Sequence, residues 1–131
     1  MKKIRYAAVI ALCATSMLLA AADASAASVR LTCEKRGTTR SKVSVDGRAL
    51  VPATGTYFAR ISSGGVLVRS KNNLRAVAGE AEFDFDSNAA DVRAGATAIR
   101  PTFIRGSVTA WVYNVSGRLA AGPVTVACRV R

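Results

Sequence analysis

Five of the eight acidic residues in this 131-residue chain fall in one short stretch: Glu80, Glu82, Asp84, Asp86 and Asp91. Asp84, Asp86, Asn88 and Asp91 are spaced D-x-D-x-N-x-x-D. Such closely set oxygen donors suit Ca²⁺, which gathers six to eight hard oxygen ligands. The pattern departs from an EF-hand loop at two places: Ala89 stands at the sixth position and Gly95 at the twelfth. A second reading of the same residues is simpler. Glu80, Glu82 and Asp84 alternate with Ala81, Phe83 and Phe85, as on a strand with one wet face. The acids would then pair with arginines on a neighbouring strand. This solvated, salt-paired face is the preferred expectation, and the alternative is a calcium-stabilised adhesion or surface domain, with calcium the one cofactor in prospect.

A third use of paired carboxylates is glycoside hydrolysis, which needs them about 5 to 9.5 Å apart with one held protonated in a cleft. The chain has no histidine and no C-x-x-C pair, which removes the commonest acid–base and thiol mechanisms. The expectation is therefore a protein that is not an enzyme. An enzyme acting on an envelope polymer through Glu82 or Asp84 is the weaker rival, and it requires a concave pocket at those residues.

The basic residues suggest binding. Lysine and arginine number 19 against 8 acids, a formal charge of +11. Arg30, Lys35, Arg36, Arg40 and Lys42 gather in the first third, and Arg129 and Arg131 end the chain. If the first and last strands adjoin, these form one basic zone, drawn to anionic surfaces and screened by salt. An anionic envelope component (lipopolysaccharide or anionic lipid, in a Gram-negative host) or another protein is the expected partner. Self-association is a further expectation if the acidic strand and the basic ends lie on opposite faces.

Nucleic acid is not expected, because the N-terminus reads as an export signal. Lys2, Lys3 and Arg5 precede an apolar run from Tyr6 to Ala22, and Ala24-Ser25-Ala26 supplies the small residues of a cleavage site. The apolar run is shorter than the roughly 20 residues of a spanning helix, so no stable transmembrane anchor is expected. Cys13 lies inside that run behind Leu12, out of place for lipoprotein processing. The expectation is a signal helix at 1–26, one domain at 27–131, and a periplasmic or secreted location. Cleavage removes Lys2, Lys3, Arg5 and Asp23, which lowers the charge from +11 to +9.

Two cysteines then remain, Cys33 and Cys128, 95 residues apart. In an oxidising compartment they should pair. Closing so long a loop stabilises the fold by about 4.6 kcal/mol in the chain-entropy model.

The elements that must position these groups read as strands. Val29, Leu31 and Cys33 alternate with polar residues, as do Val43 and Val45. Asp46-Gly47 predicts a tight turn, with Ala49 to Val51 as a return strand stopped by Pro52. Thr56 to Ile61, with Tyr57, Ala59 and Ile61 on one face, leads through Ser62-Ser63-Gly64-Gly65 into Val66 to Ser70. Glu80 to Asp86 is the clearest strand, and Ser87 to Ala90 a loop. Asp91 to Arg100 reads equally as one helical turn or a weak strand. Ser107 to Val115 carries Trp111 and Tyr113, whose shared face is expected to be core. Val124, Val126, Cys128 and Val130 make the last strand. Seven to nine short strands in about a hundred residues predict an all-β fold, a small antiparallel β-sandwich of immunoglobulin-like type.

Overall fold

The computed structural model describes residues 26–131. The expected signal peptide therefore lies outside the described residues, Ala26 excepted. Seven strands of four or more residues carry the fold: β1 (Ser28–Arg36), β2 (Arg40–Arg48), β3 (Thr56–Ser63), β4 (Val66–Arg69), β6 (Ala81–Asp86), β8 (Ser107–Asn114) and β9 (Leu119–Ala127). Three two-residue strands are added, β5 (Leu74–Arg75), β7 (Thr97–Ala98) and β10 (Arg129–Val130), with one helical turn, α1 (Ala89–Arg93).

The strands form two sheets. The first has the order β10-β1-β2-β6-β7; the second has β4-β3-β8-β9, with β5 also paired to β3. The long pairings are antiparallel, and only the short β1–β10 and β6–β7 pairings are parallel. The sandwich expected from period-two runs is thus the fold. The orders β1-β2-β6 and β4-β3-β8-β9 are those of the A-B-E and C′-C-F-G strands in immunoglobulin-like sandwiches.

The inner faces supply one core. Val29, Leu31, Val43, Val45, Phe83 and Phe85 face Tyr57, Ala59, Ile61, Val108, Ala110 and Val112 across it. Large rings sit among small alanines, the size alternation that lets two sheets interlock. Cys33 and Cys128 are bonded to each other beside this core. The bond ties β1 to the chain just beyond β9, where β10 pairs with β1 at Glu34 and Lys35.

Several local expectations are corrected. Asp46-Gly47 is no turn: β2 runs through both, with Gly47 paired to Val29 and Ala81. A side chain there would meet the Leu50 methyls at 3.1 Å, so Leu50 folds back over the space that glycine leaves. The chain reverses instead at Ala49 (φ 52°), and no return strand forms over Ala49 to Val51. The last strand begins earlier than expected, at Leu119, because β9 passes through Gly122-Pro123 with a break in register opposite Trp111. The stretch read two ways holds both elements. Asn88 caps α1 by accepting from the Ala90 and Asp91 backbone N–H groups, and Thr97–Ala98 pairs with β6.

Trp111 and Tyr113 are the largest correction. They point outward, while Val108, Ala110 and Val112 take the core side of β8. Their in-register partners on β3 are Arg60 and Phe58, themselves on the outer face. The aromatic pair in β8 thus belongs to a surface cluster.

Candidate functional site

Each of the two outer faces collects charged side chains, in different ways. On the first sheet the acidic group is built around Arg40. Its Nε donates to Asp86 Oδ1 at 3.1 Å, and its Nη2 donates to Asp86 Oδ2 at 2.8 Å and to Asp91 Oδ2 at 3.0 Å. Asp86 is 1 % exposed, and its Oδ1 also accepts the Asn88 backbone N–H. Burial alone would raise the Asp86 pKa. The Arg40 and Asn88 hydrogen bonds and the charges of Arg40 and Lys42 outweigh it and hold the carboxyl below the usual aspartate range. Arg40 is correspondingly raised, chiefly by its hydrogen bond to Asp86.

The proposed calcium donors do come together, but a guanidinium sits among them. Asp86 and Asp91 are bonded to Arg40, Asn88 Oδ1 is used to cap α1, and Asp84 projects outward from β6. Among the described residues no group of three or more His, Cys, Asp or Glu side chains is arranged to hold a metal ion.

Glu82 and Asp84 are exposed on β6, and they are not on a flat surface. They line an open cleft of about 430 Å³ together with Lys42, Lys71 and Asn72. Glu82 also accepts a hydrogen bond from Ser44 on β2.

The residues of the expected basic zone are brought together on β1, β2 and β10, but acids are set among them. Glu34 accepts from Arg36 at 2.9 Å and lies 3.4 Å from Arg131. The Arg36 hydrogen bond, against some burial, lowers its pKa. Lys42 stands between Glu34 and Asp86 in register, Arg30 opposite Asp46, and Arg129 beside Glu34. Lys35 pairs with Ser41 and Val130. The acidic strand and the basic ends share one sheet, so the opposite-face arrangement behind the self-association expectation is not present.

The outer face of the second sheet is different. No aspartate or glutamate occurs in β3, β4, β5, β8 or β9, or anywhere from Gly47 to Gly79 or from Val92 to Arg131. Arg60 and Arg69 stand directly opposite each other on β3 and β4. The Phe58 and Tyr113 rings stack with centroids 5.4 Å apart. Arg69 lies over Phe58 at 3.7 Å, and Arg60 lies 5.5 Å from Phe58 and 5.0 Å from Tyr113. This covering explains why Phe58, on an outer face, is only 2 % exposed. Among the described residues neither arginine has a carboxylate within salt-bridge distance, and Asn73 Oδ1 accepts from Arg69 at 3.3 Å.

Sequence reasoning missed this cluster, although its signal was there. Assigning Tyr57, Ala59 and Ile61 to the core already sends Phe58 and Arg60 outward.

No family model, no curated protein and no solved structure matches this chain.

Proposed function

We propose that this protein is an exported, non-enzymatic binding module for an anionic component of the cell envelope, and that it binds through the outer face of β4-β3-β8-β9. The observation that carries the reading is the sorting of charge between the sheets. All seven acids of the domain lie on the first sheet or its flank, while Arg60 and Arg69 lie together on an acid-free face. Like charges placed opposite one another on neighbouring strands are unfavourable unless something of opposite sign joins them. Arginine and tryptophan, both present on this face, are also the residues enriched at binding surfaces.

Export rests on the N-terminal segment, and the Cys33–Cys128 bond fits an oxidising compartment, periplasmic or extracellular. No helix among the described residues is long and apolar enough to cross a membrane.

The enzymatic reading has its cleft but lacks a suitable acid. Glu82 and Asp84 are open to water, and the one buried carboxyl among the described residues, Asp86, is held ionised by Arg40. A general acid needs the opposite environment.

Charge-matched variants test the assignment on a phosphocellulose column. Arg60→Gln with Arg69→Gln should elute at clearly lower salt than wild type. Arg30→Gln with Arg129→Gln removes the same charge from the other sheet and should shift elution less. Equal shifts would show that net charge alone governs retention, and the assignment to this face would fall.

A further inference from the structure

The arrangement of Arg69, Arg60 and Trp111 says more about the ligand than its sign. Building on the anion-binding reading, we infer that this row is a subsite for one anionic pyranose of a polysaccharide. The sugar's carboxylate or sulfate is held by the two guanidinium groups, and its ring lies against Trp111.

Three features support this. First, the row crosses three adjacent strands in register, Arg69 on β4, Arg60 on β3 and Trp111 on β8. With strands about 4.8 Å apart, the row spans about 10 Å, room for a sugar ring and its charged substituent. Second, the rings hold the guanidinium groups in place while leaving most of their donors unused. The Arg69 Cζ lies 3.7 Å from the Phe58 ring centroid, and the Arg60 Cζ lies 5.0 Å from that of Tyr113. Apart from the Arg69 Nη2 donation to Asn73 Oδ1, their N–H groups have no side-chain partner among the described residues and can meet an oxyanion, which arginine grips in a bidentate fork. Third, Trp111 is half-buried on an outer face, in register beside Arg60. A bare phosphate or sulfate would make no use of that ring, whereas the C–H face of a pyranose packs on it.

The adjoining row continues the polar surface. Ser62 is opposite Thr109, and the Thr109 and Thr125 hydroxyls are 2.7 Å apart. A chain of sugars running along the strands would meet these hydroxyls next.

The chain has a single tryptophan, so its fluorescence reports on this subsite alone. The test titrates the full domain with a heparin octasaccharide, with a polyphosphate of matched charge, and with a neutral dextran oligosaccharide. The octasaccharide should bind saturably and shift the Trp111 emission. The polyphosphate should bind about tenfold more weakly without that shift, and dextran should not bind. Trp111→Leu, read by calorimetry, should weaken the octasaccharide and leave the polyphosphate unchanged. Arg60→Lys with Arg69→Lys keeps the charge and should still lose most of the octasaccharide affinity, because the fork is gone.

If polyphosphate and octasaccharide bind alike and Trp111→Leu affects neither, the sugar subsite is wrong and the anion-binding module stands. If no polyanion binds even at low salt, both readings fail.

Discussion

The two outer faces of the sandwich are built from similar strands and answer charge in opposite ways. On β1-β2-β6 two rows mix signs, Arg30 with Asp46 and Glu82 and Glu34 with Lys42 and Asp86, and the paired Arg36 and Arg40 each hold a carboxylate. The deepest of these acids, Asp86, is fully enclosed and held by a two-pronged bond from Arg40. On β4-β3-β8 no row holds an acid, and two hold cations and rings, Arg69 with Arg60 and Trp111, then Phe58 with Tyr113. The first face pairs its most buried charges internally, so those charges serve folding. The second is left electrostatically unpaired, and aromatic stacking contributes only about 0.5–1 kcal/mol per exposed contact. Changes on the first face should therefore cost stability and spare binding, while changes on the second should do the reverse.

The largest effect should come from the covalent tie on the first sheet. Replacing Cys33 and Cys128 together by alanine frees a 95-residue loop and should cost up to about 4.6 kcal/mol. A lower denaturant midpoint with unchanged phosphocellulose retention, measured where the variant is still folded, supports the division between faces. Loss of retention by the folded variant would break it.

Next in size is the Arg40–Asp86 pair. Asp86→Ala should destabilise by about 3 kcal/mol, since a partly buried guanidinium loses its main partner. The pH dependence has a definite sign. The folded Asp86 pKa lies below its unfolded value, so the pair's contribution is fully present above about pH 4. It is lost as pH falls through the lower, folded value. Acid unfolding of the wild type should thus carry a step that Asp86→Ala lacks, and identical pH profiles would remove Asp86 from the account.

How much of this was legible beforehand follows from what each signal measures. Alternation reports which residues share a face, and it placed Val29, Leu31, Tyr57, Ala59, Ile61, Phe83 and Phe85 in the core without error. The disulfide was legible because only two cysteines, Cys33 and Cys128, lie beyond residue 26. In β8, alternation offered two apolar faces, and ring size was the wrong guide. The core had room for Val108, Ala110 and Val112 because Tyr57, Phe83 and Phe85 already fill it, which depends on contacts between distant strands. Gly47 misled for a similar reason: its glycine is required by Leu50 packing over it, not by a turn. The Arg60–Arg69 site needs the β3–β4 register, and neither arginine stands out among 19 basic residues in the sequence.

A smaller effect on stability, and a larger one on binding, is expected from the second face. Arg60→Gln with Arg69→Gln removes a like-charged cross-strand pair and two cation–ring contacts of similar size. The two changes oppose each other, so the melting midpoint should move by no more than about 0.5 kcal/mol equivalent. A large loss of stability would mean that these arginines chiefly shield Phe58, and the contrast between faces would be one of packing.

The smallest expected effect is that of calcium, and it sharpens the contrast from the other side. A cation entering beside Asp86 and Asp91 must displace Arg40, which already gives Asp86 two hydrogen bonds and Asp91 one. It would also have to take Asn88 Oδ1 from the α1 cap, a contact worth about 1 kcal/mol. Asp84, the remaining donor, is an exposed side chain on the same face of β6 as Asp86. Millimolar calcium should therefore leave the wild-type melting temperature unchanged. In Arg40→Ala the same carboxylates lose their guanidinium, and calcium should then restore part of the lost stability, reversibly with chelator. A rise in the wild type that Asp86→Ala abolishes would instead make this face a metal site, and its charges would no longer be self-sufficient.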